Sequence, residues 1–173
     1  MKPAAGLLAL ALLPAAVHAD FAPIPPDREV YLLNCGGCHG LDGVSNSRIV
    51  PDLKGQVGYF FNLPEGRRYL ARLPNVAFSQ TTDRELATLL NYAVFTLGGD
   101  SVPKGAKPYS AAEVGSLRKQ PLNEAALFQY RQTLVDTLID KYKATTALRL
   151  YGDDPYGSAH KKNGNETSLD AKH

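Results

Sequence analysis

Two cysteines three positions apart, with a histidine directly behind them, form the stretch Cys35-Gly36-Gly37-Cys38-His39. This spacing is an attachment pattern for covalently bound haem. Each sulfur would add across one vinyl group of the porphyrin, and the adjacent imidazole would serve as proximal iron ligand. The two intervening glycines are expected to let the backbone bend closely around the macrocycle edge. C-x-x-C also serves disulfide exchange, normally where a strand enters a helix. Here residues 27–34 read instead as a short helix with an apolar face. Half of a zinc site is the other reading, but the sequence offers no second Cys/His cluster to complete four ligands.

The compartment agrees with haem attachment. Residues 1–19 read as a signal peptide: Lys2 gives a positive tip, an apolar run follows, and Val17-His18-Ala19 precedes Asp20 as mature N-terminus. The apolar run is too short to span a bilayer, and no later stretch approaches the length needed. An uncleaved anchor is the competing reading. The expectation is a soluble protein exported to a bacterial periplasm, where cysteines are handled under oxidising conditions. The chain of 173 residues carries 19 Lys and Arg against 17 Asp and Glu, for a net +2. Loss of Lys2 and the two propionates of one haem would bring it to about neutral or below. That balance argues against nucleic acid as a partner.

Several elements must position the motif. Residues 20–26 (DFAPIPP) form a proline-rich lead-in expected to be non-helical, with Asp27 as N-cap of the helix that follows. Residues 40–50 are polar, glycine-containing and aperiodic, and read as a loop. Tyr59, Phe60 and Phe61 form an aromatic cluster expected to wall a haem crevice, with Pro64 and Gly66 beyond it as breakers. Arg67, Arg68 and Arg72 read as a solvated basic face, with a propionate or an acidic partner as the alternative. The clearest helix runs over residues 81–97. Thr81 or Thr82 would cap it and Gly98-Gly99 would end it, with Leu86, Leu89, Leu90, Ala93, Val94 and Leu97 on its buried face.

Pro51-Asp52-Leu53-Lys54-Gly55 stands at a telling place, with Pro51 twelve residues beyond His39. Together with CxxCHG it resembles the class I cytochromes c, which carry a P-x-L-x-G turn at this distance. The resemblance implies that the Pro51 carbonyl accepts the His39 Nδ1 proton and that Leu53 packs on the haem face. Asn91-Tyr92 similarly resembles the aromatic-containing closing helix of that family, which crosses the N-terminal helix beside the haem. The implied fold is an all-α, class I-like haem domain over residues 20–99, carrying one covalently bound haem c.

The chain departs from the family at the sixth iron position. Most members supply a methionine from the loop before the closing helix, but residues 73–80 contain none, and the single methionine is Met1. His160 is the best remaining side chain chemically, with Asn75, Lys104, Lys107 or a tyrosine as further candidates. An iron without a sixth protein ligand, its distal side closed by Val76 and Phe78, is the other possibility.

Beyond Gly99 a helical extension is expected over residues 100–152. Ser110 and Glu113 suit a capping box opening a short helix, and Asn123 caps a longer one from Glu124 to about Leu150. The stripe Leu127, Tyr130, Leu134, Leu138 and Ile139 would pack on the chain itself or dock the protein through residues 124–150. Residues 153–173 read as a disordered tail. The function expected is single-electron transfer without catalysis, between an exported dehydrogenase or oxidase and another cytochrome or copper protein. The alternative is a haem that binds a small ligand at an open sixth position, as sensor, scavenger or peroxidase.

Overall fold

The computed structural model describes residues 23–151, and these form helices and turns without strands. The fold is all-α. Residues 1–19, expected to be a signal peptide, and residues 153–173, expected to be a tail and including His160, lie outside the described residues.

Helix α1 spans Pro26–Asn34, one residue earlier than the sequence suggests. Pro26 occupies the first helical position, where its missing N–H costs nothing and its fixed φ already suits a helix. Asp27 therefore lies inside the first turn rather than at the cap, where with Glu29 it complements the helix dipole. A second helical turn, α2, covers Gly36–His39. The two glycines take helical backbone there without an unusual dihedral, and a Cβ at Gly37 would meet nothing within 4 Å. Tyr31, fully buried, ties α1 to its surroundings: its hydroxyl donates to the Gly40 carbonyl at 2.7 Å, and its ring lies 5.2 Å from that of Tyr92.

A 3₁₀ turn at Val57–Asn62 leads into α3, Pro64–Arg72. Pro64 and Gly66 are not breakers. Pro64 opens the helix, again at the position that tolerates proline. Gly66 lies inside it because a Cβ there would run into the Phe60 carbonyl. A short α4 at Pro74–Ala77 fills what reads as loop. Helix α5, Asp83–Asn91, begins at a reciprocal capping box between Thr82 and Glu85 and runs on through a π-helical turn at Tyr92–Leu97 to Gly98.

The extension adds α6, Ala111–Arg118, and α7, Glu124–Tyr142. Ser110 accepts from the Glu113 N–H, but the Glu113 carboxylate does not return to the cap. It takes two hydrogen bonds from Arg67, at 2.6 and 2.7 Å. Arg72 donates to the Gln120 carbonyl, and Arg68 pairs with Glu65 on its own helix. The three arginines are thus not one solvated patch; two of them clamp the extension onto α3. Helix α7 stops eight residues short of Leu150 because Lys143 adopts a left-handed conformation at φ 56°, and the Ala144 N–H caps the Leu138 carbonyl. A separate 3₁₀ turn follows at Thr146–Arg149.

The apolar stripe of α7 is buried in its own chain. Leu134, Val135 and Leu138 share one core with Leu70 of α3, Leu86 and Leu90 of α5 and Val114 of α6. Phe128 and Tyr142 of α7 stay exposed.

Two outcomes check this packing. Gly66→Ala should cost about 1–3 kcal/mol in chemical denaturation, because α3 must move off the Phe60 carbonyl. Arg67 holds the Glu113 carboxyl below its ordinary range, with burial opposing. A depressed carboxyl contributes stability that is present above its unfolded pKa and lost as pH falls through its folded one. Glu113→Gln should therefore destabilise by about 1 kcal/mol at neutral pH, with the difference shrinking in thermal melts as the pH falls below the ordinary carboxylate range.

Candidate haem site

Helices α1 and α2 set the two thiols and the imidazole on consecutive turns. The Cys35 carbonyl accepts the N–H groups of both Cys38 and His39, at 3.2 and 2.9 Å. The chain then reverses at Gly40 and Gly43, both at positive φ, and the Gly43 carbonyl receives the N–H groups of Leu53 and Lys54. Asp52 accepts from the Ser45 N–H at 2.7 Å, and Ser45 Oγ donates to the Val50 carbonyl at 2.7 Å, closing the loop on itself. This brings Pro51 to His39: the imidazole Nδ1 lies 3.0 Å from the Pro51 carbonyl oxygen. A carbonyl can only accept, so Nδ1 carries the proton and Nε2 keeps its lone pair free. Burial lowers the His39 pKa, with the Pro51 hydrogen bond opposing, which keeps the ring neutral at physiological pH.

Both thiols are free, Cys38 exposed and Cys35 partly covered. Burial, and then Cys38, push the Cys35 thiol up to about 11. A disulfide-exchange pair needs the opposite, a thiol pulled down toward neutrality. Together with the helices on both sides of Cys35, this removes the thioredoxin-like reading. For zinc, no cluster of three or more metal-ligating side chains occurs among the described residues.

Cys38, His39 and Pro51 border a cavity of about 560 Å³. Its inner chamber is apolar, lined by Cys35, Leu53, Phe60, Leu70 and Val94. Leu53 is on the chamber wall. Of the three clustered aromatics only Phe60 lines the chamber. Phe61 turns away to meet Phe95 and Tyr109 edge-on and lies beneath Arg67, and Tyr59 lines neither chamber nor mouth.

On the distal side, Val76 lines the cavity but Phe78 does not, being 66% exposed. The turn after α4 is held by Arg118, which donates to the carbonyls of Ala77, Ser79 and Thr81, and this leaves Phe78 facing outward. Asn75 borders the mouth. Lys104 and Lys107 border neither part, and Lys107 lines a separate surface groove beside Phe61 and Arg67. Tyr69, Arg131 and Leu148 line the cavity without having been singled out in the sequence. Burial raises the Tyr69 phenol to about 12, so it is protonated at neutral pH. Arg131 carried a signal: it falls on the same helix face as Leu127, Leu134 and Leu138, a cation within an apolar stripe.

No family model matches the chain. Cytochrome c-552 of Thermus thermophilus is 28% identical over 118 residues, covering 58% of this chain and 90% of that protein. A second Thermus thermophilus cytochrome c-552 has the same identity and covers 80% of its own length. The likeness supports a c-type cytochrome. Such a protein carries covalently bound haem, and the residues here fit it: two free thiols and an imidazole with its Nδ1 engaged, Cys35 and His39 bordering the apolar chamber and Cys38 its mouth. The outer cavity, at about 560 Å³, lies within the roughly 300–1,000 Å³ of cofactor-sized sites.

Replacing both Cys35 and Cys38 by alanine should convert bound haem into haem that acidified organic solvent extracts. Either single substitution should retain attachment through the other sulfur. Haem staining after denaturing electrophoresis reads both outcomes.

Proposed function

We propose that this chain is a periplasmic monohaem c-type cytochrome carrying single electrons between an exported dehydrogenase or oxidase and another redox carrier. One observation carries the reading: the Pro51 carbonyl engages His39 Nδ1 at 3.0 Å, beside two free thiols and an apolar cavity. The haem, when bound, supplies an iron that cycles between ferric and ferrous states. Cys35 and Cys38 tether it, His39 offers Nε2 to the iron, and Pro51 fixes the ring that does so. Leu53, Phe60, Leu70 and Val94 exclude water from the chamber. Exposed Cys38 puts the tethered edge at the surface, within reach of a partner protein. One CxxCH motif provides for one haem. Export is supported by the leader-like residues 1–19, and no helix among the described residues is long and apolar enough to cross a membrane.

A second reading rests on the cavity lining. Among the described residues neither a methionine, nor a lysine, nor a histidine other than His39 borders it. Small-ligand binding at an open sixth position follows from that lining, whereas His160 as sixth ligand favours the carrier. For the carrier, the ferrous protein should be reoxidised rapidly and reversibly by a soluble one-electron acceptor and should bind carbon monoxide slowly. Stopped-flow absorbance separates the two: carbon monoxide binding that outpaces reoxidation would favour the ligand-binding reading.

A further inference from the structure

Arg131 is the least satisfied charge in the core. It sits midway along α7 and is only 4% exposed. Its Nη2 donates to the Leu148 carbonyl at 3.3 Å, while its buried Nη1 has no hydrogen-bond partner. No carboxylate among the described residues pairs with it. Two other arginines that reach between helices are served differently, Arg67 by Glu113 and Arg118 by three carbonyls and Asp83. Arg131 has two aromatic faces instead, Phe60 at 5.5 Å and Tyr151 at 5.2 Å from the guanidinium carbon to the ring centroids. These contribute attraction but accept no N–H hydrogen bond in the plane of the fork.

Burial lowers the Arg131 pKa from its ordinary value, yet a guanidinium starts so high that it keeps its charge. A buried cation of this kind requires an anion. Its position identifies where that anion lies. Arg131 lines both the apolar chamber and the mouth of the cavity that holds His39. It stands where an apolar ring system would give way to polar substituents.

Resting on the haem reading of this cavity, we propose that Arg131 pairs with a propionate carboxylate of the bound haem, making α7 a wall of the cofactor site. The planar fork suits a carboxylate in two-point contact. The extension beyond Gly99 then completes the cofactor environment as well as the apolar core. Arg131 is a positioning residue that tunes the iron through charge.

The test compares haem-loaded wild type with Arg131→Leu, Arg131→Gln and Arg131→Lys. Reduction potential is measured against pH, with resonance Raman bands of propionate bending and azide affinity of the ferric form alongside. Loss of a nearby positive charge favours the more positive ferric iron, so Arg131→Leu should shift the ferric-to-ferrous equilibrium roughly tenfold toward ferric at neutral pH. It should also shift the propionate bands and introduce a pH-dependent step in potential as the unpaired carboxylate takes up a proton. Arg131→Lys should recover most of the neutral-pH potential. If Arg131→Leu loads no haem, the Gln and Lys variants carry the same readouts. Unchanged propionate bands with an unchanged potential profile would overturn the pairing. So would a loss of azide affinity with unmoved propionate bands, which would assign Arg131 to an anion on the iron. A wild-type protein without covalent haem would overturn the haem reading itself, whatever the variants do.

Discussion

The contact between the His39 imidazole and the Pro51 carbonyl is the constraint around which the rest of the site is arranged. As one hydrogen bond it is worth only about 1 kcal/mol of net stability. Its importance is directional, since it decides which ring nitrogen is free and where the ring plane lies. Holding it requires the chain to leave His39, reverse, and return within twelve residues. The positive-φ glycines, the Ser45–Asp52 contact and the Gly43 carbonyl that gathers Leu53 and Lys54 perform that reversal. Tyr31 then fixes the loop to α1 through Gly40 and to the closing helix through Tyr92.

From that anchor the helices enclose a chamber rather than a filled core. Residues of α3, α5 and the π-helical turn supply its apolar lining, and α7 crosses over it with Arg131. Protein interiors are normally packed almost without voids. A chamber and mouth bounded between them by two thiols, an imidazole and a guanidinium without a carboxylate partner therefore read as space shaped for a cofactor. The extension is integral to this arrangement: Leu134, Val135 and Leu138 belong to the same core as the helices before Gly99. Arg67 and Arg72 secure it through Glu113 and the Gln120 carbonyl.

What was legible in the sequence was whatever depends on local spacing. The thiols and imidazole and a cap at Thr81 or Thr82 are short-range patterns, and the Pro51 turn with Leu53 comes with the resemblance; the structure puts Thr82 at the cap, the Pro51 carbonyl 3.0 Å from His39 Nδ1 and Leu53 on the chamber wall. Proline misled twice, at Pro26 and Pro64, because a residue that breaks a helix interior also opens a first turn, and sequence alone does not say which side of a boundary it occupies. Phe78 was taken for a cavity residue on its apolar character. The carbonyls that Arg118 gathers from 37 to 41 residues away turn that segment outward. Arg131 is legible only as a cation within the apolar stripe of α7. Its significance comes from Phe60, Leu148 and Tyr151 converging on one point, a tertiary fact that no window of sequence contains.

Tandem mass spectrometry of the mature chain, purified from cells that carry haem-maturation machinery, tests the central claim most directly. Proteolysis should yield a single peptide across residues 35–39 bearing one haem, with thioether bonds at both Cys35 and Cys38 and neither sulfur open to alkylation. A folded chain whose two cysteines are both alkylated, with no haem mass on that peptide, would contradict it.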